Sequence, residues 1–200
     1  MLTKKQLAIE LSKFKPIKEP NEQLEQYSLD IETAAELLWH AFMHKDIEGK
    51  VIADFGCGNG ILGGSALLLD AKHVHFVDTD QKMIELSREN VKSSNTTFHC
   101  TDITKFKTKV DTVIQNPPFG VKHEHADKVF LEQAFKVADT VYSIHKIESK
   151  EFIEQFVKEH DYTVETIIPF DFVLSKTLRH HRKSKYVVKC GCWVLRGKKI

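Results

Sequence analysis

The stretch that decides the fold is Val51-Ile-Ala-Asp54-Phe-Gly56-Cys-Gly58-Asn-Gly60, an apolar run followed by an acid and three closely spaced glycines. The apolar run predicts a buried strand, and the glycines predict a tight turn into a helix. Glycines let a ligand lie against the backbone, and the free N–H groups at a helix start bind polar ligands. The spacing fits the GxGxxG of dinucleotide enzymes only if Gly63 is recruited, so a nicotinamide cofactor is disfavoured.

Short apolar runs alternate with helical stretches from Gly49 onward. This alternation predicts a doubly wound α/β sheet that is mostly parallel. The last two apolar runs have only a basic loop between them, so we expect an antiparallel hairpin at one edge of the sheet. Strands are predicted at residues 51–54, 74–77, 96–100, 110–114, 140–144, 162–172 and 186–195, and helices at residues 61–69, 82–91, 127–137 and 150–160.

The residues before this pattern contain two helical patterns of their own. Apolar positions in residues 2–14 predict an amphipathic helix that Pro16 ends. Asp30 is the predicted N-cap of a second helix with apolar residues at helical spacing. We therefore expect residues 1–48 to form a helical extension that packs on a domain formed by residues 49–200.

The composition is that of one globular domain. Two hundred residues with 42% apolar content suffice to bury a full core. No apolar run approaches the roughly 18 residues of a membrane helix, and the N-terminus lacks a signal-peptide core, so we expect a cytoplasmic protein. The four cysteines show neither a CxxC pair nor a disulfide-scaffold spacing. Cys190 and Cys192 alternate along a predicted strand, which favours buried thiols over a metal site.

The net charge of +1 conceals a separation of charge along the chain. From Phe172 to Ile200 there are nine Lys or Arg residues and no acid, so the other residues carry 20 basic and 28 acidic side chains, a balance of −8. This pattern predicts a contact with a polyanion, the alternative being a solvated segment. The candidate contact residues between the last two strands are Arg179, His180, His181, Arg182, Lys183 and Lys185.

Two further acids end predicted strands. Asp78 follows the second strand, about twenty residues after the glycines, where an acid commonly accepts hydrogen bonds from ribose hydroxyls. Asp102 follows the third strand, at a level of the sheet where its side chain could accept a hydrogen bond from the exocyclic amine of an adenine. Asp80 is better explained as the N-cap of the next helix. Because the carboxyl ends of parallel strands meet at one edge, these acids and Asp54 predict a nucleotide-type ligand site there.

The four residues Asn116-Pro117-Pro118-Phe119, hereafter the corner, follow the fourth predicted strand. Each proline lacks an N–H and fixes φ, so the strand has to end here. The corner offers the amide of Asn116, backbone carbonyls that no neighbouring strand can use, and one aromatic ring. An amide oxygen beside a free carbonyl is a double acceptor suited to a planar –NH2 group, and the ring can stack on a flat base.

These motifs, in this order and spacing, resemble the class I S-adenosylmethionine-dependent methyltransferases that methylate amino groups. More narrowly, the chain resembles one branch of these enzymes, the methyltransferase-like "five" type with its archaeal relatives. This branch methylates N6 of an adenosine in small-subunit ribosomal RNA. The narrower resemblance is carried by Leu24-Glu-Gln-Tyr27, Asn116-Pro-Pro-Phe-Gly120, Phe130-Leu and Tyr142-Ser-Ile-His-Lys146. Leu29 departs from the threonine that the family usually has, which puts a cofactor contact at that position in doubt.

The resemblance implies a Rossmann-like, seven-stranded methyltransferase sheet and S-adenosyl-L-methionine as the cofactor. The implied catalytic residues, which would hold the target base, are Asn116, Pro117, Pro118 and Phe119. The implied cofactor-binding residues are Gln26, Tyr27, Asp54, Gly56, Gly58, Asp78, Thr79, Asp102, Ile103 and Asn116.

Partners are implied as well. His145 and Lys146 follow the corner by one strand and are candidates for contact with RNA in the same pocket. The eukaryotic relatives pair with a small zinc-binding activator protein at a sheet edge. In this chain that edge would be the strand at residues 96–100, for which we expect apolar exposure.

Two other functions stay open on the sequence. Glutamine-N5 methylation of a protein would use the same corner, but that group typically ends the motif in Tyr and carries a larger N-terminal helical domain. A non-catalytic RNA-binding protein could also be built on this fold, although the intact Asn116, Gly56, Gly58 and Asp78 argue against it. DNA adenine methylation is disfavoured, because no separate target-recognition domain fits in 200 residues.

Overall fold

The computed structural model describes residues 2–21, 24–119, 126–175 and 185–198. Its helices are α1 (Lys4–Leu11), α2 (Ile31–Met43), α3 (Ile61–Leu68), α4 (Gln81–Asn90), α5 (Ala126–Val137) and α6 (Lys150–Glu159). Its strands are β1 (Val51–Phe55), β2 (His73–Asp78), β3 (Thr96–Cys100), β4 (Thr112–Gln115), β5 (Thr140–Lys146), β6 (Tyr162–Ser175) and β7 (Lys185–Gly197).

The seven strands form one sheet in the order β3-β2-β1-β4-β5-β7-β6. The pairs from β3 to β5 are parallel, whereas β7 is antiparallel to both β5 and β6. The predicted mostly parallel sheet with a C-terminal antiparallel hairpin at its edge is therefore confirmed. Both hairpin strands are longer than the sequence pattern indicated, because their ladder continues outward to the pair Ser175 and Lys185.

Helices cover both faces of the sheet. The first core cluster joins α1 to α4 to one face, with Leu7, Ala34 and Ile52 among its fully buried members. The second cluster joins α5 and α6 to the other face, with Phe55 and Trp193 at its centre. The two N-terminal helices thus share a core with the sheet, and the division of the chain at residue 48 stays a prediction.

Side-chain caps fix the starts of several helices. Thr3 and Gln6 form a reciprocal capping box at α1. The predicted N-caps Asp30 and Asp80 are confirmed, since their carboxylates accept hydrogen bonds from the N–H groups of Thr33 and Lys82. Among the described helices, none is long and apolar enough to cross a membrane.

The edge strand β3 differs in part from its prediction. Apolar exposure was expected there, but the one large apolar side chain of this strand, Phe98, is only partly exposed. Its ring stacks on Phe76 with 4.9 Å between centroids, and the guanidinium of Arg88 covers it at 4.7 Å. The apolar exposure of this edge is therefore partial in the described chain, because neighbouring side chains cover much of the ring.

Candidate functional site

The candidate site lies at the carboxyl ends of the central parallel strands. β1 and β4 are neighbours, with Phe55 paired to Gln115, so the glycine loop (residues 56–60) and the corner leave the sheet side by side. β2 lies on the other side of β1 and ends at Asp78. The strand order changes direction between β1 and β4, which is where doubly wound sheets bind ligands.

A pocket of about 300 Å³ opens at this position. This volume lies at the small end of the range for small-molecule sites. All ten residues predicted to bind the cofactor line it, together with Pro118 of the corner. Their functional roles stay predictions, but the structure brings the whole predicted set into one cavity.

The glycine loop wraps tightly around the end of β1. Gly56 and Gly58 have φ values of 66° and 53°, which side chains with a Cβ rarely adopt. A Cβ at Gly56 would also lie 3.3 Å from the ring of Phe130, whose side chain lines the pocket. The N–H groups of Gly56 and Cys57 both donate to the Val77 carbonyl, at 2.8 and 3.1 Å, which ties the loop to β2.

Asp54 is a buried carboxyl at the base of this loop. It is 1% exposed, and its Oδ2 accepts a hydrogen bond of 2.8 Å from the N–H of Gly63 in α3. Its Oδ1 is buried with no partner among the described residues. Burial raises the pKa of Asp54 to about 7, against the opposing effect of the Gly63 hydrogen bond. A cation bound nearby would lower the pKa of this buried carboxyl, since the cation stabilises its ionised form.

Asp78 and Asp102 hold the other strand ends. Asp78 accepts hydrogen bonds from the N–H groups of Gly58 at 3.0 Å and Asp80 at 2.9 Å. Burial raises the pKa of Asp78 above its ordinary value. The N–H of Thr79 is a third donor to this carboxylate. A carboxylate has about four acceptor positions, so about one stays available for a ligand's hydroxyl groups. Asp102 caps the 3-10 turn Ile103–Lys105, and hydrogen bonds from Thr104 lower its pKa.

The corner presents Asn116 to the same pocket. The Asn116 Nδ2 donates to the Tyr27 carbonyl oxygen at 3.5 Å. Its Oδ1 is buried, and the described residues supply no hydrogen-bond partner for it. Pro118 lines the pocket with Asn116, whereas Pro117 is buried and is not among the lining residues.

The ring of Phe119 belongs to an aromatic group beside the pocket. It lies 6.5 Å from the Tyr27 ring, nearly parallel to it at 21°, and packs edge-on against Phe172 at 5.6 Å. The ammonium of Lys146 lies 5.8 Å from the centroid of Phe119. Lys146 also forms an ion pair of 3.6 Å with Glu148, so its charge is partly compensated.

His145, a predicted RNA contact, is buried inside the sheet, and its contact with RNA stays a prediction. β5 continues through Lys146, and His145 pairs with Gly191 of β7 inside the sheet, where it is 2% exposed. Its Nε2 lies 2.6 Å from the Ser143 hydroxyl, and the ring packs edge-on against Trp193. Burial lowers the pKa of His145 to about 3, so the imidazole is neutral and structural.

Most of the predicted basic contact residues cannot be placed. Arg179, His180, His181, Arg182 and Lys183 lie outside the described residues. Lys185 begins β7, where its backbone pairs with Ser175.

Sequence reasoning missed several residues of the pocket wall. Ile17 lines the cavity without a local chemical signal for a ligand, whereas Asn59 and Phe130 lie in quoted stretches but were not assigned to the site. The adjacent glycines Gly63 and Gly64 indicate close packing of α3 and not the pocket wall, because glycine inside a helix is unfavourable unless another group approaches closely. Added Cβ atoms there would meet Phe76 at 2.4 Å and Phe14 at 2.6 Å.

Comparison with known proteins agrees with this geometry. The family model for the methyltransferase small domain matches residues 27–144. An uncharacterised protein of Methanocaldococcus jannaschii is 33% identical over 100% of this chain and 96% of its own length. The rRNA N(6)-adenosine-methyltransferase METTL5 of Danio rerio is 33% identical over 82% of this chain and 84% of its own.

A solved structure agrees as well. The crystal structure of a candidate RNA methyltransferase from Pyrococcus horikoshii is 40% identical and covers 100% of both chains, with a TM-score of 0.92. The resemblance drawn from the sequence motifs is thereby confirmed. The chain belongs to the methyltransferase small domain family and, within it, to the group that includes the METTL5 rRNA N(6)-adenosine-methyltransferases.

Proposed function

We propose that this protein transfers a methyl group from S-adenosyl-L-methionine to N6 of an adenosine in ribosomal RNA. The relatives from Danio rerio and Drosophila melanogaster, 33% and 30% identical, are rRNA N(6)-adenosine-methyltransferases. The observation that carries the proposal is the Asn116 side-chain oxygen, which is buried, lines the pocket and lacks a partner among the described residues. A buried acceptor without a partner is unfavourable unless a ligand satisfies it.

The chemistry of an aromatic amine explains what this acceptor does. The amine's lone pair is delocalised into the ring, so the nitrogen is a poor nucleophile. The Asn116 Oδ1 is proposed to accept one N–H of the amine. The Pro117 carbonyl is proposed to accept the other, although Pro117 does not line the pocket and the base would have to enter beside it. These two hydrogen bonds localise the lone pair and orient the nitrogen within the pocket.

The pocket residues fit the cofactor chemically. S-adenosyl-L-methionine supplies an electrophilic methyl group on a sulfonium, so positioning and exclusion of water suffice and no strong general base is required. Asp78 offers its remaining acceptor position to the ribose hydroxyls. Asp102 lies on the neighbouring wall for the adenine. The unsatisfied Asp54 Oδ1 faces a site where a cationic ligand stabilises its ionised form.

Phe119 is proposed to stack on the target base. Tyr27 and Phe172 hold its ring from two directions, so little side-chain freedom is lost when the base binds. A base stack contributes roughly 1–3 kcal/mol. Lys146, whose ammonium lies 5.8 Å from the ring centroid, is proposed to contact a phosphate of the same nucleotide.

Several finer features are part of the same proposal. The RNA is that of the small subunit, and its phosphates contact the basic residues between β6 and β7. A small zinc-binding activator protein pairs with β3, which is an edge strand of the sheet formed by the described residues. Residues 1–48 are an extension of a methyltransferase domain at 49–200, and the ribosomal substrate implies action in the cytoplasm.

Asn116→Ala tests the catalytic assignment. Methyl transfer from labelled S-adenosyl-L-methionine to small-subunit RNA is measured for the wild type and the variant, with methylated nucleosides identified by mass spectrometry. We expect the variant to lose at least about a hundredfold in kcat, as for removal of other preorganised polar groups at reacting centres. Asn95→Ala, at an exposed asparagine away from the pocket, is the matched control and keeps wild-type activity. Wild-type activity in Asn116→Ala, or methylation of protein and not RNA, contradicts the proposal.

A further inference from the structure

A short segment of the N-terminal extension lies across the glycine loop. This segment, residues 14–17, is called the strap. At its end, Ile17 lines the pocket, and its Cδ1 is 3.6 Å from the position of a Cβ on Gly58. At its start, the ring of Phe14 packs against Gly64 of α3. The strap therefore contributes to the pocket wall, although it precedes the residues that match the family model.

Asn90, the last residue of α4, holds the strap and the loop together. Its Oδ1 accepts a hydrogen bond of 2.8 Å from the Lys15 N–H. Its Nδ2 donates to the Lys15 carbonyl at 3.1 Å and to the Asn59 carbonyl at 2.9 Å. One amide group thus joins α4, the strap and the glycine loop. The Asn59 Nδ2 adds a longer bond of 3.3 Å to the same Lys15 carbonyl.

Asn90 acts on the pocket through other residues. The three hydrogen bonds that Asn90 makes to Lys15 and Asn59 are called the clamp. Neither Asn90 nor Lys15 lines the cavity, whereas Asn59 and the nearby Ile17 both do. Lys15 also forms an ion pair of 2.8 Å with Glu89, but both side chains are more than half exposed. Exposed ion pairs contribute little, so the amide of Asn90 is the effective link.

The ring of Phe14 packs against Gly64 and so fixes the start of the strap on α3. A Cβ on Gly64 would lie 2.6 Å from Cε2 of this ring, closer than any real contact. Glycine inside a helix is unfavourable relative to alanine. The glycine is explained by the room that it leaves for Phe14, which anchors one end of the strap while Asn90 anchors its middle.

We propose that Asn90 is a positioning residue that fixes the strap against the glycine loop and thereby slows release of the cofactor. This inference rests on the proposed use of S-adenosyl-L-methionine in this pocket. With the clamp intact, the wall formed by Ile17 and Asn59 is already ordered, so binding does not have to order it. Without the clamp, the cofactor has to order the wall as it binds and leaves more easily.

Asn90→Asp is the sharpest test, because the two side chains have the same shape. The aspartate keeps an acceptor for the Lys15 N–H but places an oxygen opposite two carbonyls that need a donor. We expect the Kd and the dissociation rate of S-adenosyl-L-methionine to rise about tenfold, which corresponds to the loss of one or two neutral hydrogen bonds. Titration calorimetry and stopped-flow displacement by S-adenosylhomocysteine measure these two quantities.

Steady-state kinetics separate a positioning role from a general structural one. We expect the KM for S-adenosyl-L-methionine to rise with the Kd, while kcat and the KM for RNA stay at the wild-type values. Glu89→Gln is the matched control, since it removes only the exposed partner of Lys15 and is expected to change the Kd less than about twofold. Wild-type Kd and dissociation rate in folded Asn90→Asp overturn the inference.

Gly64→Ala keeps the test decisive if Asn90→Asp folds poorly. Alanine favours the helix more than glycine does, but its Cβ would lie 2.6 Å from Cε2 of Phe14, so the ring has to move. We expect a raised Kd for S-adenosyl-L-methionine in the folded variant, and an unchanged Kd overturns the inference. If the wild type itself binds no S-adenosyl-L-methionine, the proposed function fails and not the clamp.

Discussion

Asp54→Asn tests whether the pocket keeps a buried carboxyl at the expense of stability. Asp54 is 1% exposed, and its Oδ1 has no partner among the described residues. Burial raises its pKa to about 7, and the charge of Asp78 adds to this rise. Asparagine has the same shape and keeps an oxygen for the Gly63 N–H, but it never carries a charge.

The expected magnitude follows from the pKa of Asp54 in the unfolded and folded chain. The carboxyl titrates at 3.8 in its ordinary state and at about 7 in the fold, so between these values the folded state binds more protons. The free energy of unfolding of the wild type therefore falls as the pH rises through this window. The loss is up to 1.36 kcal/mol per pH unit, or about 4 kcal/mol in total.

Asparagine removes this loss. Without cofactor, we expect Asp54→Asn to gain stability relative to the wild type from about pH 4 to about pH 7, and the difference to stay constant above that. Urea unfolding of both proteins at several pH values measures the difference, and the shared contribution of Asp78 largely cancels in it. Asp161→Asn, at an exposed aspartate, reports the effect of removing a surface carboxylate. Parallel stability curves for the wild type and Asp54→Asn would refute the reasoning.

Two further substitutions separate substrate binding from stability. Phe119→Ala removes the stacking surface, so we expect the KM for RNA to rise roughly tenfold or more while the Kd of S-adenosyl-L-methionine stays unchanged; an unchanged KM contradicts the stacking role. Arg196 donates two hydrogen bonds to Asp46, at 2.8 and 2.7 Å, and Tyr142 donates a third at 2.7 Å. Arg196→Gln is expected to lower the free energy of unfolding by about 2 kcal/mol in urea denaturation without changing kcat, since this network lies at the opposite end of the sheet.

The parts of the site that could be predicted are those whose chemistry is local. Glycines allow the positive φ that Gly56 and Gly58 adopt, and prolines such as Pro117 and Pro118 lack the N–H that a strand needs. Both effects depend on the residue itself and not on the rest of the fold. Once the sheet is recognised as parallel, its topology brings the ends of the central strands together. The pocket residues from the strand ends therefore followed from the sequence, including Asp78.

The parts that could not be predicted depend on which side chains meet across the fold. His145 lies in a strand covered on both faces, and alternation carries no information on exposure in such a strand. Asn90 ends a helix like many other surface residues, and its three hydrogen bonds arise only because the strap passes over that helix end. Phe98 looks like an exposed edge residue until Arg88 is placed over its ring.

The strand order explains why the proposed donor and acceptor face each other. β2 lies on one side of β1 and β4 on the other, so the loops after β1 and β4 diverge and leave a crevice between them. The glycine loop and Asn116 both line this crevice, although the two are far apart in the sequence. Both walls are anchored in buried strands, Phe55 and Gln115 being 0% exposed. In the proposed complex, the sheet would therefore set the distance between cofactor and target amine, and the proposed role of the strap and Asn90 would be to control how long the cofactor stays.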